Sequence, residues 1–365
     1  MALTFKQAVA LYGRDDINGL ASSTEGYRFL LLRSLSRYEH LAEIALGHNL
    51  DIEEVGKRVL FEYIYDSDID TKSIEKIIRQ IFARERRIRA HAETHLIGEL
   101  YKMQEFNWGG LHQNSLDKTI VNNYVKKVLS YDQLNSHIED ELLTSMRGYV
   151  RCSWYNHWTS IIIEDIFKEH SAVLPAVGLV KKIDFFVRSV PFDLKVTYLP
   201  EGFVKIKRRE DGERPELTLL KQQARRASIA IPSKMSDSDL LAHLWTVVAD
   251  QPDNTSRTLA ASLRAYRKKL VDEITQDPDE LIKWLYENQG ERRFDASNRI
   301  FLVLVNESNF FDSWQLKRNR ALISKGISEY LNNSTTSIGR DSVFMWEGEE
   351  YKSKADVIIV RHTQL

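Results

Sequence analysis

The chain has 365 residues, 43% of them hydrophobic and 28% charged, so it is long enough for a substantial core and is expected to form two domains. Its 51 Lys and Arg residues nearly cancel its 52 Asp and Glu residues, which leaves a net charge of −1. Affinity for nucleic acid must therefore come from local basic clusters, because total charge supplies none.

Cysteine content and hydropathy indicate the cellular compartment in which the protein is expected. The single cysteine, Cys152, excludes an intramolecular disulfide framework and a cysteine-based zinc site, which fits a reducing cytosol. The N-terminus lacks the features of a secretory signal, and no apolar run approaches the roughly 20 residues that cross a bilayer. We therefore expect a soluble cytoplasmic protein with no membrane partner.

The first part of the chain has a helical pattern. Apolar residues recur three and four positions apart through residues 1–150, and the first proline of the chain is Pro175. This pattern predicts an all-helical N-terminal domain over residues 1–150.

The pattern changes after residue 150, where one more helix is followed by two strands in "KKIDFFVRSVPFDLKVTYLP", residues 181–200. The elements predicted after this strand pair are a largely helical stretch at about 200–298, an apolar strand at 299–305, a helix at about 312–331 and a last strand at 355–360. The mixture predicts an α+β or mixed α/β domain over residues 151–365, with an insertion at about 200–298.

Three ionisable residues interrupt the apolar strand pair: Asp184, Asp193 and Lys195. A tight hairpin around Ser189 and Val190 would place Asp184 opposite Lys195 and put all three side chains on one face of the sheet. Two carboxylates on neighbouring strands can bind one hard divalent cation, which offsets the cost of burying two like charges. The alternative is a cross-strand ion pair between Asp184 and Lys195, with Asp193 facing solvent.

The spacing of these residues carries a family resemblance. Asp184, eight intervening residues and then Asp193-Leu194-Lys195 resemble the motif of the PD-(D/E)xK nuclease superfamily, which includes many type II restriction endonucleases. Ile183 stands where the family name has a proline. The motif alone is short, but the predicted helices and strands around it extend the resemblance.

That context consists of the helix before the hairpin and the elements after the insertion. Glu164 lies in the preceding helix, where this superfamily often places an acidic residue. The predicted strand at 299–305, the helix after it and the strand at 355–360 look like the later part of the superfamily core. The resemblance implies a restriction-endonuclease-like core, a central mixed β-sheet flanked by helices, and leaves the N-terminal half unmatched.

The resemblance also implies a role for each residue. Asp184 and Asp193 would bind Mg²⁺ with help from the Leu194 carbonyl, and Lys195 would orient the attacking water. Glu164 would bind the metal through water or bind a second Mg²⁺. The implied activity is Mg²⁺-dependent endonuclease cleavage of double-stranded DNA, with these four side chains catalytic, as in a type II restriction enzyme of a prokaryotic cytoplasm.

Basic residues in the insertion and in the later helix are candidates for contacts with DNA phosphates. They are Lys205, Lys207, Arg208, Lys317 and Arg318. An exposed charged helix face is the simpler explanation for any one of these clusters. The chain has no phosphate-cradling P-loop, so we expect no ATP partner.

A homodimer is expected by analogy, because two related copies most simply cut both strands of a symmetric site. The helical domain and the insertion would then supply DNA grip, sequence recognition or dimer contacts. Two alternatives stay open: a non-catalytic DNA-binding or interaction protein on the same fold, and a repair or structure-specific nuclease.

Overall fold

A six-stranded mixed sheet with helices before and around it forms the protein. The computed structural model describes residues 3–35, 37–57, 59–108, 120–180, 183–233, 235–288, 298–333, 338–346 and 349–363. The predicted mixed α+β class, with helices N-terminal to the sheet, is confirmed. Among the described helices, none combines the length and apolar character needed to cross a bilayer.

Several helices before the sheet begin at a residue whose side chain caps them; Thr4 and Gln7 form a capping box, and the Asp70 side chain accepts a hydrogen bond from the Ser73 N–H. These helices are α1 (Phe5–Gly13), α2 (Ile17–Ala21), α3 (Thr24–Arg33), α4 (Tyr38–Gly47), α5 (Leu60–Tyr65) and α6 (Thr71–Leu100). Short helical segments follow at Val121–Val125, Tyr131–His137 and Ile138–Leu142, and then α7 (Leu143–Glu169) leads to the sheet.

The strands run in the order β1-β2-β3-β4-β6-β5 across the sheet. Their bounds are β1 (Val173–Val180), β2 (Ile183–Val187), β3 (Val190–Tyr198), β4 (Arg299–Asn306), β5 (Arg340–Trp346) and β6 (Glu349–His362). The first three strands form an antiparallel meander, β3, β4 and β6 are parallel, and β5 returns antiparallel to β6.

Helices cover both faces of the parallel part of the sheet, which explains why β4 reads as a continuous apolar run. Ile300 and Leu302 of β4 pack in the core that includes α7 and the helix after β4, while Phe301 and Val303 pack against the insertion. The insertion consists of α8 (Glu201–Glu210), α9 (Glu216–Arg226), α10 (Asp237–Ala249), α11 (Asn254–Gln276) and α12 (Asp279–Asn288).

The element predicted as one helix at about 312–331 consists of two segments. A 3₁₀ helix spans Phe310–Arg318, and α13 spans Arg320–Asn333. Strands β1 and β5 were not predicted. The sequence of β1 contains Pro175 and Gly178, which weaken a strand pattern, but β1 lies at the edge of the sheet, where a proline is tolerated.

The N-terminal helices share a hydrophobic core with the first two strands. Tyr27 of α3 packs edge-on against Phe186 of β2, with ring centroids 5.7 Å apart, and its hydroxyl donates to Glu75 of α6 at 2.9 Å. Leu174 of β1 belongs to the same core cluster. Residue 150, the predicted domain boundary, lies inside α7, and α7 runs on to pack against the sheet.

Asn298 joins three strands at the end of the sheet where β3 and β4 begin. Its carbonyl accepts from the Asp193 N–H at 2.9 Å, its Nδ2 donates to the Pro191 carbonyl at 3.0 Å, and its Oδ1 accepts from the Lys354 N–H at 2.9 Å. The side chain is buried, so both of its polar atoms replace contacts that water would otherwise make.

We expect Asn298→Ala to lower the free energy of unfolding by about 1–3 kcal/mol, because it leaves a buried carbonyl of Pro191 and a partly buried N–H of Lys354 without their partner. Chemical denaturation measures the change. Asn288→Ala is the matched control, since its amide makes one exposed bond to Trp284, and it should cost about 0.5 kcal/mol or less. Equal effects of the two substitutions would contradict the role given to Asn298.

Candidate functional site

The turn between β2 and β3 consists of Arg188 and Ser189, whose φ angles are 50° and 65°. Val187 pairs with Val190 across it. Two-residue turns with positive φ match the twist of an antiparallel pair, and this fixes the register of the hairpin. The turn predicted at Ser189 and Val190 is therefore wrong by one residue.

The error shifts the pairing by two residues, which leaves every side chain on its predicted face. Continuing the observed register puts Asp193, and not Lys195, opposite Asp184. The regular pairing stops at Phe185 and Phe192, one position before the two aspartates. The prediction that residues 184, 193 and 195 share one face of the sheet agrees with this register.

At the point where the pairing stops, the side chain of Asp184 takes the place of a backbone acceptor. Its Oδ2 accepts from the Leu194 N–H at 2.7 Å. The N–H and C=O groups of one strand residue point toward the same neighbouring strand, so the Leu194 carbonyl is directed to the Asp184 side. The Asp193 N–H points the other way and donates to Asn298 before β4.

Asp193 is buried between two cationic side chains. The Lys195 ammonium lies 3.0 Å from its Oδ1, and Arg299 Nε lies 3.4 Å from its Oδ2. Arg299 is the first residue of β4 and the parallel neighbour of Asp193, and its guanidinium stacks 4.9 Å from the centre of the Tyr286 ring. Sequence reasoning missed Arg299, although a basic residue at the start of a strongly apolar strand was a usable signal.

The alternative interpretation of the three residues is wrong in its predicted form. Lys195 pairs with Asp193 on its own strand, and no ion pair between Asp184 and Lys195 occurs within the described part of the chain. Asp193 is buried and does not face solvent. The cationic partners of Asp193 nevertheless give it a structural role that needs no metal.

Glu164 projects from α7 toward the same place. Its carboxylate lies 2.9 Å from the Lys168 ammonium one turn later on α7 and is half-buried. Burial, and after it the negative charges of Glu164 and Asp193, raise the pKa of Asp184 to about 7. The Leu194 N–H and Lys168 act in the opposite direction. Of the predicted catalytic residues, Glu164 and Asp193 therefore act on Asp184, and Lys195 pairs with Asp193.

The oxygen atoms available at this site are of the chemical type that binds a hard cation. Carboxylate and carbonyl oxygens are available from Asp184, Asp193, Leu194 and Glu164, and such oxygens are the usual ligands of Mg²⁺. In the described residues, however, no three carboxylate, imidazole or thiol groups lie close enough together to hold one ion. An ion bound to Asp193 Oδ1 must displace Lys195, whose side chain is 45% exposed and can move into solvent.

Two predicted phosphate contacts are wrong because their side chains are buried. Lys317 donates to the Asn156 side chain at 2.9 Å, and burial lowers its pKa to about 8. Arg318 donates to the backbone carbonyls of Leu100 and Met103 at 3.0 and 2.9 Å. Both residues lie on the inward side of the 3₁₀ helix and connect α6, α7 and the sheet.

The basic run in α8 divides among three environments, because successive residues of a helix point in different directions. Lys205 is exposed. Lys207 is held by two glutamates, with Glu280 2.7 Å away. Arg208 is buried and donates to the Arg214 carbonyl at 2.8 Å, so its predicted phosphate contact is wrong. Lys205 stays a candidate for an anion contact.

Comparisons with known proteins found nothing similar to this chain. No protein-family model, no curated protein and no solved structure matches it. The interpretation of the site therefore depends on its geometry and its chemistry.

The raised pKa of Asp184 gives a dependence of stability on pH. Because the folded pKa of about 7 exceeds the ordinary value of 3.8, the folded state binds the proton more tightly. The resulting destabilisation is absent below about pH 4, grows as the pH rises to 7 and is complete above 7. At pH 8, Asp184→Asn should stabilise the metal-free protein by about 1–4 kcal/mol, measured by denaturant unfolding in EDTA.

The amide keeps an oxygen that can accept from the Leu194 N–H, so the comparison isolates the charge. At pH 4.5 the same substitution should change the stability by no more than about 1 kcal/mol. Asp250→Asn, at an exposed carboxylate, should have little effect at either pH. A stabilisation of Asp184→Asn that is equal at both pH values would contradict an unfavourable buried charge at this position.

Proposed function

We propose that this chain is a Mg²⁺-dependent endonuclease that hydrolyses phosphodiester bonds of double-stranded DNA, in the manner of type II restriction enzymes. The proposal includes a restriction-endonuclease-like organisation of the core. The observation that carries it is the position of Asp184, bonded to the Leu194 N–H at 2.7 Å beside the Asp193 and Lys195 pair, with Glu164 raising its pKa.

In this proposal Asp184, Asp193 and the Leu194 carbonyl bind the ion, and Glu164 binds it through water or binds a second one. When bound, the ion would acidify the attacking water and offset charge on the scissile phosphate. Relief of the unfavourable charge on Asp184 would contribute to the affinity, because a nearby cation favours the ionised carboxyl.

Lys195 would act on the reacting groups directly. Its ammonium now compensates Asp193 at 3.0 Å, and the exposed side chain is free to turn toward substrate once that oxygen is taken. A positioned ammonium can orient water and stabilise negative charge on the phosphate as the bond breaks. Arg299 would keep Asp193 in place, because its guanidinium is buried against Tyr286.

The proposed substrate also suggests an assembly. A symmetric duplex site is most simply cut by two copies of one chain, so a homodimer belongs to the proposal. DNA grip would come from the N-terminal helices and from the insertion, where Lys205 is exposed.

One observation favours a second candidate, a non-catalytic DNA-binding or interaction protein. Both carboxylate oxygens of Asp193 already face cations, Lys195 and Arg299, and an ion-paired aspartate at a strand junction needs no metal. The raised pKa of Asp184 favours the nuclease, because a purely structural site gains nothing from an uncompensated buried carboxyl.

Cleavage of supercoiled plasmid tests the proposal. The wild-type protein should cut in Mg²⁺ and not in EDTA, and Lys195→Ala should lower the rate at least about 100-fold because it removes charge stabilisation of the reacting phosphate. Lys325→Ala, an exposed lysine in α13 outside the proposed DNA-gripping parts, is the control and should cut normally. Discrete fragments would indicate restriction, and a smear would indicate a nuclease of broader specificity.

Thermal unfolding separates binding of the ion from chemistry. Mg²⁺ should raise the melting temperature of the wild type and of Lys195→Ala, which no longer has a competing ammonium, but not that of Asp184→Asn. Intact plasmid together with no effect of Mg²⁺ on the wild type would refute the proposal and favour the non-catalytic candidate.

A further inference from the structure

A hollow of about 500 Å³ lies in the insertion, between α8, α9 and α10. Its polar lining consists of three cations, two hydroxyls and three carboxylates, from Lys205, Arg209, Lys221, Thr218, Ser238, Glu201, Glu216 and Asp237. The volume is in the range of about 300–1,000 Å³ that is typical of small-molecule sites. None of these residues belongs to the candidate metal site.

The cations of the hollow have few partners. Lys205 and Arg209 are one turn apart on α8 and both are exposed, and within the described part of the chain neither makes an ion pair. Lys221 forms an ion pair at 3.7 Å with Asp237, a carboxylate of the same lining whose side chain is 82% exposed and can turn into solvent. The other two basic residues of the run, Lys207 and Arg208, are held by groups outside the hollow.

The other two carboxylates of the hollow, Glu216 and Glu201, are respectively paired with a cation and disfavoured in the ionised form. Glu216 forms a buried bidentate pair with Arg267, with contacts of 2.9 and 2.6 Å. Glu201 is partly buried, its pKa is raised mainly by that burial, and its carboxylate accepts from the Ser238 hydroxyl at 2.9 Å. The side chains that are free to meet a ligand are therefore predominantly cationic.

An apolar wall completes the hollow. Pro215, Leu217 and Leu241 line it beside the polar groups. A lone inorganic anion would leave this wall exposed, whereas a phosphate attached to an organic group would contact both parts. Ligand sites commonly combine an apolar lining with a few convergent polar groups that fix the orientation.

We propose that this hollow binds the phosphate monoester of a nucleotide, with Lys205, Arg209 and Lys221 around the phosphate and the apolar wall against the sugar or base. Arg209 can donate two parallel hydrogen bonds to phosphate oxygens, and the lysines add point charges. The same chemistry occurs in a free nucleoside monophosphate and at the 5′-phosphorylated end of a strand. The proposal needs neither the metal site nor cleavage.

Binding is measured with the full-length chain in EDTA, so that catalysis plays no part. By calorimetry AMP should bind at least about tenfold more tightly than adenosine, because charge-assisted bonds to the phosphate supply the difference. A 5′-phosphorylated oligonucleotide should also bind more tightly than the same strand with a 5′-hydroxyl. Preference for the phosphorylated strand over AMP identifies a strand end, and equal or weaker binding identifies a free nucleotide.

Matched variants locate the site. Lys205→Gln and Arg209→Gln should each lower the affinity for AMP about tenfold, whereas Lys207→Gln, with the same loss of charge on the same helix, should change it less than about twofold. Equal losses in all three variants would overturn the proposal, as would adenosine binding as tightly as AMP or no binding of AMP at millimolar concentration. Normal AMP binding in a protein that does not cut DNA would leave this site supported and only the nuclease proposal refuted.

Discussion

The site depends on one hydrogen bond between the backbone and a side chain. Oδ2 of Asp184 accepts from the Leu194 N–H at 2.7 Å, at the point where the regular pairing of β2 and β3 has ended. Continued pairing would direct the Leu194 N–H to a backbone carbonyl of β2 and leave the Asp184 carboxylate without this donor. The bond also fixes the carboxylate, because a carboxylate held by a backbone donor on the next strand cannot rotate freely into solvent. The end of the regular pairing and the orientation of Asp184 are thus linked by one hydrogen bond.

Packing on both sides supports the hairpin. The N-terminal helices cover one side of the hairpin through Tyr27 and Phe186, and on the other side Phe167 of α7 stacks on Phe185, with centroids 5.0 Å apart. Helix α7 also carries Glu164, so the element that packs behind the hairpin brings a further negative charge to Asp184. The N-terminal helices are consequently part of the support of the site and share its core.

Local patterns were sufficient for part of this arrangement. The apolar run of β4 and the alternation along β3 predicted strands, and the common face of Asp184 and Asp193 was independent of the register error because side chains repeat every two residues. The turn itself was misplaced because Arg188 and Ser189 adopt positive φ without the glycine or asparagine that usually marks such turns.

Other features depend on tertiary contacts that a pattern does not contain. Strand β1 exists because an edge position accepts Pro175, and Arg299 meets Asp193 only through parallel pairing across an insertion of about 100 residues. The basic runs were misleading for a similar reason. A cluster of charges in sequence becomes several environments on a helix, so Arg208 and Arg318 are buried while Lys205 and Arg209 reach solvent.

The two aspartates of the site differ in electrostatic compensation, and this difference suggests an order of events under the proposed function. Asp193 has a permanent partner in the buried Arg299 and a removable one in Lys195, whereas Asp184 has no cationic contact at hydrogen-bonding distance in the described structure. A cation therefore gains the most favourable electrostatic energy at Asp184. Its approach weakens the ion pair between Asp193 and the Lys195 ammonium. In the absence of metal, the Lys195 ammonium would supply part of the positive charge that an ion otherwise provides. It would be released toward the phosphate only when that ion is present. Such a coupling would keep the reactive ammonium paired until the site is complete.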